Sequence, residues 1–268
     1  MNAAALDLGI LAPALVAGLL VLSTHVPLGQ QVLARGIVFI DLAIAQLAGL
    51  GVIVADYFGV PAHGWAVQIA AAGAAAAGAG VLTWSERCWP QVQEALIGAL
   101  FVLAASCALL LLSNNPHGSE HLKELLAGQI LWVSWTELYH VAIFYALLLA
   151  LWFGLGQRRL GRWGFYLLFA MSVTASVQLV GVYLVFASLI LPALTAKACK
   201  ATWRLSLGYG VGVAGYILGL AASALFDLPA GPSVVCALAI AAAGGARLAA
   251  RRVCADRHIC DARLPEDD

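Results

Sequence analysis

Asp41 has the clearest capacity for chemistry in this 268-residue sequence, because its carboxylate stands inside a long apolar stretch. An ionised carboxylate in hydrocarbon costs at least about 2.5–3.5 kcal/mol on insertion scales, so it needs a partner or a wet cavity. One interpretation is that Asp41 binds a passing cation. The other is that it lies at a membrane edge, paired with a helix terminus or with Arg35. Acidic groups within apolar spans are functional by default, so we predict the cation role.

A second candidate lies between residues 115 and 124, where His117, Glu120, His121 and Glu124 recur at i, i+3, i+4 and i+7. In a helix these four side chains would share one face. Two imidazoles and two carboxylates form a ligand set that suits a divalent cation. The alternative is a solvated first helical turn, in which Glu120 suits the helix dipole.

Three further polar features are weaker candidates. Cys254, His258 and Cys260 fall close together near the end of the sequence and could bind a soft transition metal, although short tails are commonly disordered. His25 and Gln178 stand in apolar runs, and we interpret both as partners in hydrogen bonds between helices.

The composition predicts that the elements holding these side chains are membrane helices. Hydrophobic residues make up 63% of the chain and charged residues 10%, with a mean hydropathy of +0.93. Soluble domains average about 45–50% apolar and about 25% charged residues. The formal net charge of zero and the absence of a basic motif argue against a nucleic-acid partner. The six cysteines show no spacing that requires disulfides.

A spanning helix needs roughly 20 apolar residues, and the runs here lack the alternation of a β-barrel strand. The stretch 164–196 is too long for one pass, and Gln178 and Gly181 predict a break that joins two short helices inside the membrane. We therefore predict an all-α polytopic bundle of eight or nine spans, some short or broken. The candidate spans are 8–28, 37–58, 65–84, 95–112, 139–156, 164–178, 179–196, 205–226 and 232–249.

The placement of Lys and Arg predicts the orientation, because basic residues accumulate on the cytoplasmic side. With nine passes, every Lys and Arg except Lys123 lies on one side. This arrangement puts the N-terminus outside. It also divides the chain into a transmembrane domain over 1–250 and a short cytoplasmic tail over 251–268.

Several ordered motifs resemble the permease subunits of zinc- and manganese-type metal ABC transporters, the ABC-3 family. They are PLG at 27–29, FID at 39–41, LAGQIL at 126–131, WTEL at 135–138, VGVYLV at 180–185, LILPALTA at 189–196 and PAGPSVV at 229–235. The resemblance implies an ATP-driven importer of zinc or manganese in the bacterial inner membrane. It also implies a homodimer, a separate ABC ATPase subunit, and a periplasmic or lipoprotein metal-binding protein. The divalent ion would be the substrate, and no permanently bound cofactor is expected.

Within this family a His typically follows the Asp of the second span by one helical turn. Here that position is Ala45, and Gln46 stands beside it. A neutral amide can coordinate a hard cation but is a poor zinc ligand compared with imidazole. The resemblance therefore implies Asp41 and Gln46 as the groups that bind the transported metal.

The resemblance also implies where an ATPase would touch the chain, namely at Arg158, Arg159, Lys197 and Lys200. Anchoring at the cytoplasmic face explains Lys197 and Lys200 equally well. The longer segment that the family usually carries before its sixth span is reduced here to residues 156–164.

Two other functions stay open. The short connection favours an ATP-independent metal or ion transporter of similar architecture. An intramembrane enzyme would need paired catalytic groups at matched depth, and only isolated acids and histidines are available, so we predict no catalytic residue. The sequence contains no GxxxxGK[ST] motif, so ATP hydrolysis would have to come from a separate subunit.

Overall fold

The computed structural model describes residues 8–60, 64–112, 128–197 and 201–261, and the regular structure within these ranges is helical. The α-helices are α1 (Leu8–Arg35), α2 (Ile40–Tyr57), α3 (Trp65–Cys88), α4 (Gln93–Leu112), α5 (Trp135–Val180), α6 (Val182–Lys197), α7 (Arg204–Phe226) and α8 (Ala230–Asp261). Helices satisfy their own backbone groups, which lipid cannot do, so long apolar runs adopt this form.

The predicted polytopic helical bundle is confirmed. Eight described segments are long and apolar enough to cross a membrane, and two of them lie in α5, over Trp135–Gly154 and Gly161–Val180. The shorter apolar helix α6 has 16 residues. Large apolar side chains such as Leu110 and Ile240 are more than 70% exposed, as expected for surfaces that face lipid.

Element α5 consists of two antiparallel helical segments joined by a short turn. A straight helix of its 46 residues would be about 69 Å long, more than twice the thickness of a bilayer core. Instead, Tyr145 in the first half hydrogen bonds to Ser176 in the second, and the rings of Trp152 and Phe165 lie 6.0 Å apart. Gly161, at the start of the second half, has a φ of +60°. The two predicted spans and their short connection are therefore present.

The chain breaks again at Gly181, as predicted. This glycine has φ +81° and ψ 162° and separates α5 from α6, while Val180 and Val182 on either side of it are buried. Gln178 lies within the last turns of α5 with its side chain exposed, so its predicted hydrogen bond in a dry interior is wrong.

A connecting segment packs onto this break. Gly128 has a φ of +69°, and a Cβ built on it would lie 2.2 Å from the carbonyl oxygen of Val180. The following 3₁₀-helix, Ile130–Trp132, contacts α1 and α8. The segment before α5 therefore enters the bundle at the point where α5 ends.

Small residues let α7 approach its neighbours closely. A Cβ on Gly212 would lie 2.6 Å from a methyl carbon of Leu22 in α1, and one on Gly219 would lie 2.4 Å from the Cα of Val234 in α8. Because glycine has no Cβ, the helices approach closely here and make extensive van der Waals contacts, the main source of helix association within lipid. Gly212 and Gly219 thus serve packing within one chain.

Candidate cation site

Asp41 is the second residue of α2, and only 1% of its surface is exposed. Neither carboxylate oxygen has a hydrogen-bond partner among the residues that the structure describes. Burying an uncompensated carboxylate is costly, so such a group calls for a positive partner. Its position in the first turn of α2 is favourable for a negative charge, because the positive end of the helix dipole lies there.

Arg35 does not supply that positive partner. The carbon at the centre of its guanidinium lies 4.0 Å from the centroid of the Phe165 ring, a cation–π contact with α5. The predicted pairing of Asp41 with Arg35 is therefore not made. The predicted interaction with a helix terminus consists only of the favourable interaction between the carboxylate and the dipole of α2.

Asp41 lies on a buried face of α2 that is distinct from the face packed on α3. Asp41, Ala45 and Ala48 follow at i, i+4 and i+7, and all three are buried. Contacts with α3 include Ile44 and Leu47, whose side chains lie against Gly78, and Gly51, which lies against Ala70 and Ala74.

Besides α3, helices α4, α5 and α6 all contact α2. Next to the start of α2, the ring of Phe39 stacks on Phe186 of α6 with centroids 6.4 Å apart and planes 4° apart. Asp41 is therefore buried at the end of α2 where Phe39 meets α6.

Gln46 does not share this face. It follows Asp41 by five residues, which turns it about 140° around the helix axis at 3.6 residues per turn. Its side chain is partly exposed, whereas Asp41 is buried. The structure does not bring the two predicted ligands together on one side of α2, and the role of Gln46 stays a prediction.

A long-range contact that the sequence reasoning missed holds the start of α2. No local side chain caps this helix, and the backbone N–H of Phe39 donates to Oε1 of Glu94 at 3.2 Å. Beside it, Gln93 accepts a hydrogen bond from Ser85 at 2.9 Å and donates to the Leu82 carbonyl at 3.1 Å. The sequence signal for this contact was Glu94, an acidic residue in the first turn of a helix that begins soon after Pro90.

His25 is also buried, and the prediction that its side chain hydrogen bonds to another helix is wrong. Its Nδ1 lies 3.0 Å from the Val21 carbonyl oxygen, within α1. Its Nε2 has no hydrogen-bond partner among the described residues.

The other predicted site residues are not brought together in the described part of the chain, where no group of three or more His, Cys, Asp or Glu side chains could hold a metal. Lys197 ends α6 with its side chain exposed. The backbones of Arg158 and Arg159 lie in α5, and those of Cys254, His258 and Cys260 in α8, but their side chains fall outside the description. His117, Glu120, His121, Glu124 and Lys200 lie outside the described residues altogether.

Comparison with known proteins identifies the family. The pattern of the ABC 3 transport family matches residues 7–160 and 154–245. Two curated relatives, from Chlamydia muridarum (strain MoPn / Nigg) and Chlamydia trachomatis serovar D, are each named "Probable metal transport system membrane protein". Both are 25% identical to this chain, over 80% of both chains for the first, and over 77% of this chain and 78% of the relative for the second.

Among solved structures, that of PsaBC from Streptococcus pneumoniae in complex with Fab has the same fold as this chain. Its TM-score is 0.72 at 21% identity, over 93% of this chain and 95% of that one. With the family pattern matched over most of its length, this multi-pass helical chain belongs to the ABC 3 transport family.

Proposed function

We propose that the chain is the membrane-spanning subunit of an ATP-driven importer of a divalent metal, zinc or manganese, and that Asp41 binds the ion during its passage. The observation that carries this proposal is a buried carboxylate at the start of α2 with both oxygens unpartnered among the described residues. The names of the two curated relatives, which describe metal transport, support the same cargo.

A single carboxylate suits a transport step better than permanent storage. Conduction requires a site that is favourable enough to enter but weak enough to leave. Carboxylate oxygen is a ligand for hard cations such as manganese and also binds zinc. Ala45 and Ala48 supply no further ligand on this face, so bound water or neighbouring helices would complete the coordination shell.

Helix α6 offers a physical route from an ATPase to the ion. It ends at Lys197, one of the predicted ATPase contacts, and its middle contacts α2 through the Phe186–Phe39 stack. Gly181 separates it from α5, so α6 could shift without α5 moving as one piece with it. An ATPase that favours one of two positions of α6 would then bias access to Asp41. A homodimer of this chain, a separate ATPase and an external metal-binding protein complete the proposed assembly in the bacterial inner membrane.

The test is metal accumulation by cells in which this chain is the only metal importer, expressed together with an ABC ATPase subunit. We expect uptake of radiolabelled zinc or manganese under chelation, and co-purification of the ATPase with the detergent-solubilised chain. An ATPase variant whose P-loop Lys is replaced should bind the chain yet abolish uptake. Undiminished uptake with that variant would favour the ATP-independent transporter, which the tight turn between the halves of α5 also suits.

A further inference from the structure

His25 is a buried imidazole whose hydrogen bonds indicate which ring nitrogen carries the proton. Its Nδ1 lies 3.0 Å from the carbonyl oxygen of Val21, which can only accept a hydrogen bond. The hydroxyl of Thr24 lies 3.0 Å from Nδ1 and donates to the same carbonyl at 3.1 Å, so it does not also donate its one proton to Nδ1. Nδ1 therefore carries the ring proton and donates, which leaves the lone pair of a neutral ring on Nε2.

That lone pair is the unusual feature. His25 is 0% exposed, and Nε2 finds no donor among the residues described. Buried polar atoms are paired in the large majority of cases, and an exception requires an explanation. A neutral imidazole with one nitrogen donating to a carbonyl and the other nitrogen free is the usual arrangement of a metal-binding His.

Helix α6 contacts α1 close to His25 and also contacts the start of α2. The residue one turn after His25 on α1, Gly29, is so close to α6 that a Cβ on it would lie 2.1 Å from the Leu189 carbonyl oxygen. Phe186, within the same turn of α6, stacks on Phe39, two residues before Asp41. One turn of α6 therefore contacts α1 one turn from His25 and the residue two positions before Asp41.

We infer that His25 is a second metal-binding group of this permease, with Nε2 as the ligand atom, so that a divalent ion meets an imidazole on the α1 side and a carboxylate on the α2 side. The inference rests on the proposed function, because it takes the cargo to be a divalent metal. Imidazole binds zinc and related transition metals better than manganese, which prefers oxygen ligands. His25 then favours zinc-like ions, whereas Asp41 accepts both.

The experiment replaces His25 with Asn and measures uptake of zinc and manganese separately in the same cells. An Asn amide can still donate to the Val21 carbonyl but has no atom where Nε2 lies. We expect the ratio of zinc to manganese uptake to fall at least about tenfold, the lower end of what disturbing the groups around a metal costs. The ratio does not depend on expression level or on the folded fraction, because both ions pass through the same molecules.

Thr24→Val is the control, since it removes the hydroxyl that bonds to Val21 and contacts Nδ1 but keeps the imidazole and its Nε2. We expect its zinc to manganese ratio to equal that of the unmodified chain. A ratio that stays unchanged in His25→Asn, whether or not total uptake falls, would show that His25 serves packing only. Asp41→Asn is measured in parallel to keep the two proposals apart. Normal uptake by that variant would count against the role of Asp41 alone and not against that of His25. An unmodified chain that accumulates neither metal would overturn both proposals.

Discussion

Replacing Asp41 with Asn should nearly abolish metal uptake while leaving the fold intact. Asn keeps the shape of the side chain but removes the negative charge that the proposed cation needs. Loss of one member of a buried charge pair costs roughly 2–5 kcal/mol, and each 1.4 kcal/mol is a factor of ten. We therefore expect uptake at low metal concentration to fall about 100-fold by this arithmetic. The measurement is the initial rate of radiolabelled metal accumulation per amount of folded protein.

Thermal stability supplies an independent signature of the same substitution. The carboxylate of Asp41 has no partner among the described residues, so removing its charge relieves a cost and breaks no hydrogen bond. The detergent-solubilised variant should melt at the same temperature as the unmodified chain, or higher. A lower melting temperature would indicate a structural role for the charge.

Asp56→Asn is the matched control, because Asp56 lies near the other end of α2 and is exposed. Its removal changes the net charge of the chain by the same amount. We expect its uptake to stay near that of the unmodified chain. Equal uptake by the two variants would remove Asp41 from the path.

The second large effect is expected from Gly128→Ala, which should destabilise the fold where the segment before α5 packs onto the break at Gly181. The new Cβ would lie 2.2 Å from the Val180 carbonyl oxygen, a backbone atom that cannot rotate away. Gly128 also has a φ of +69°, which L-residues rarely adopt. Overpacking costs typically about 1–3 kcal/mol, and a left-handed conformation adds roughly 1–2 kcal/mol. The melting temperature in detergent should fall accordingly.

Two other glycines separate these contributions. Gly36 has a φ of +73°, and a Cβ added there would have nothing within 4 Å, so Gly36→Ala meets only the conformational cost. Gly98 lies within α4 and meets neither cost, so Gly98→Ala should be neutral or slightly stabilising. A Gly128→Ala variant that melts no lower than Gly36→Ala would show that the close approach to Val180 does not form.

Hydropathy and the helix-breaking glycines in the sequence were sufficient to predict the spans and their breaks. Long apolar runs have few alternatives to helices in lipid, and a Gly without a Cβ readily takes the positive φ seen at position 181. The observed start of α5 at Trp135 precedes the predicted span over 139–156, because hydropathy alone does not register a local cap. Ser134 and Glu137 form a capping box there, and Ser134 accepts a hydrogen bond from the Glu137 backbone.

The arrangement around Asp41 could not be predicted in the same way. A helix that is apolar on every side gives no periodic signal of which face meets which neighbour. The contact between Phe39 and Glu94 joins residues 55 positions apart, and the Phe39–Phe186 stack joins residues even farther apart in sequence. The sequence could identify Asp41 as a buried charge but could not tell that Arg35 would turn instead to Phe165.

The most direct test of the central claim is whether water-soluble reagents and metal ions reach position 41. Asp41→Cys would be made in a background from which the six native cysteines have been removed, and its reaction with a charged thiol reagent followed with and without added metal. The account predicts modification that zinc or manganese slows, because ion and reagent compete for one aqueous passage. Modification by lipid-soluble reagents alone, unaffected by metal, would contradict it.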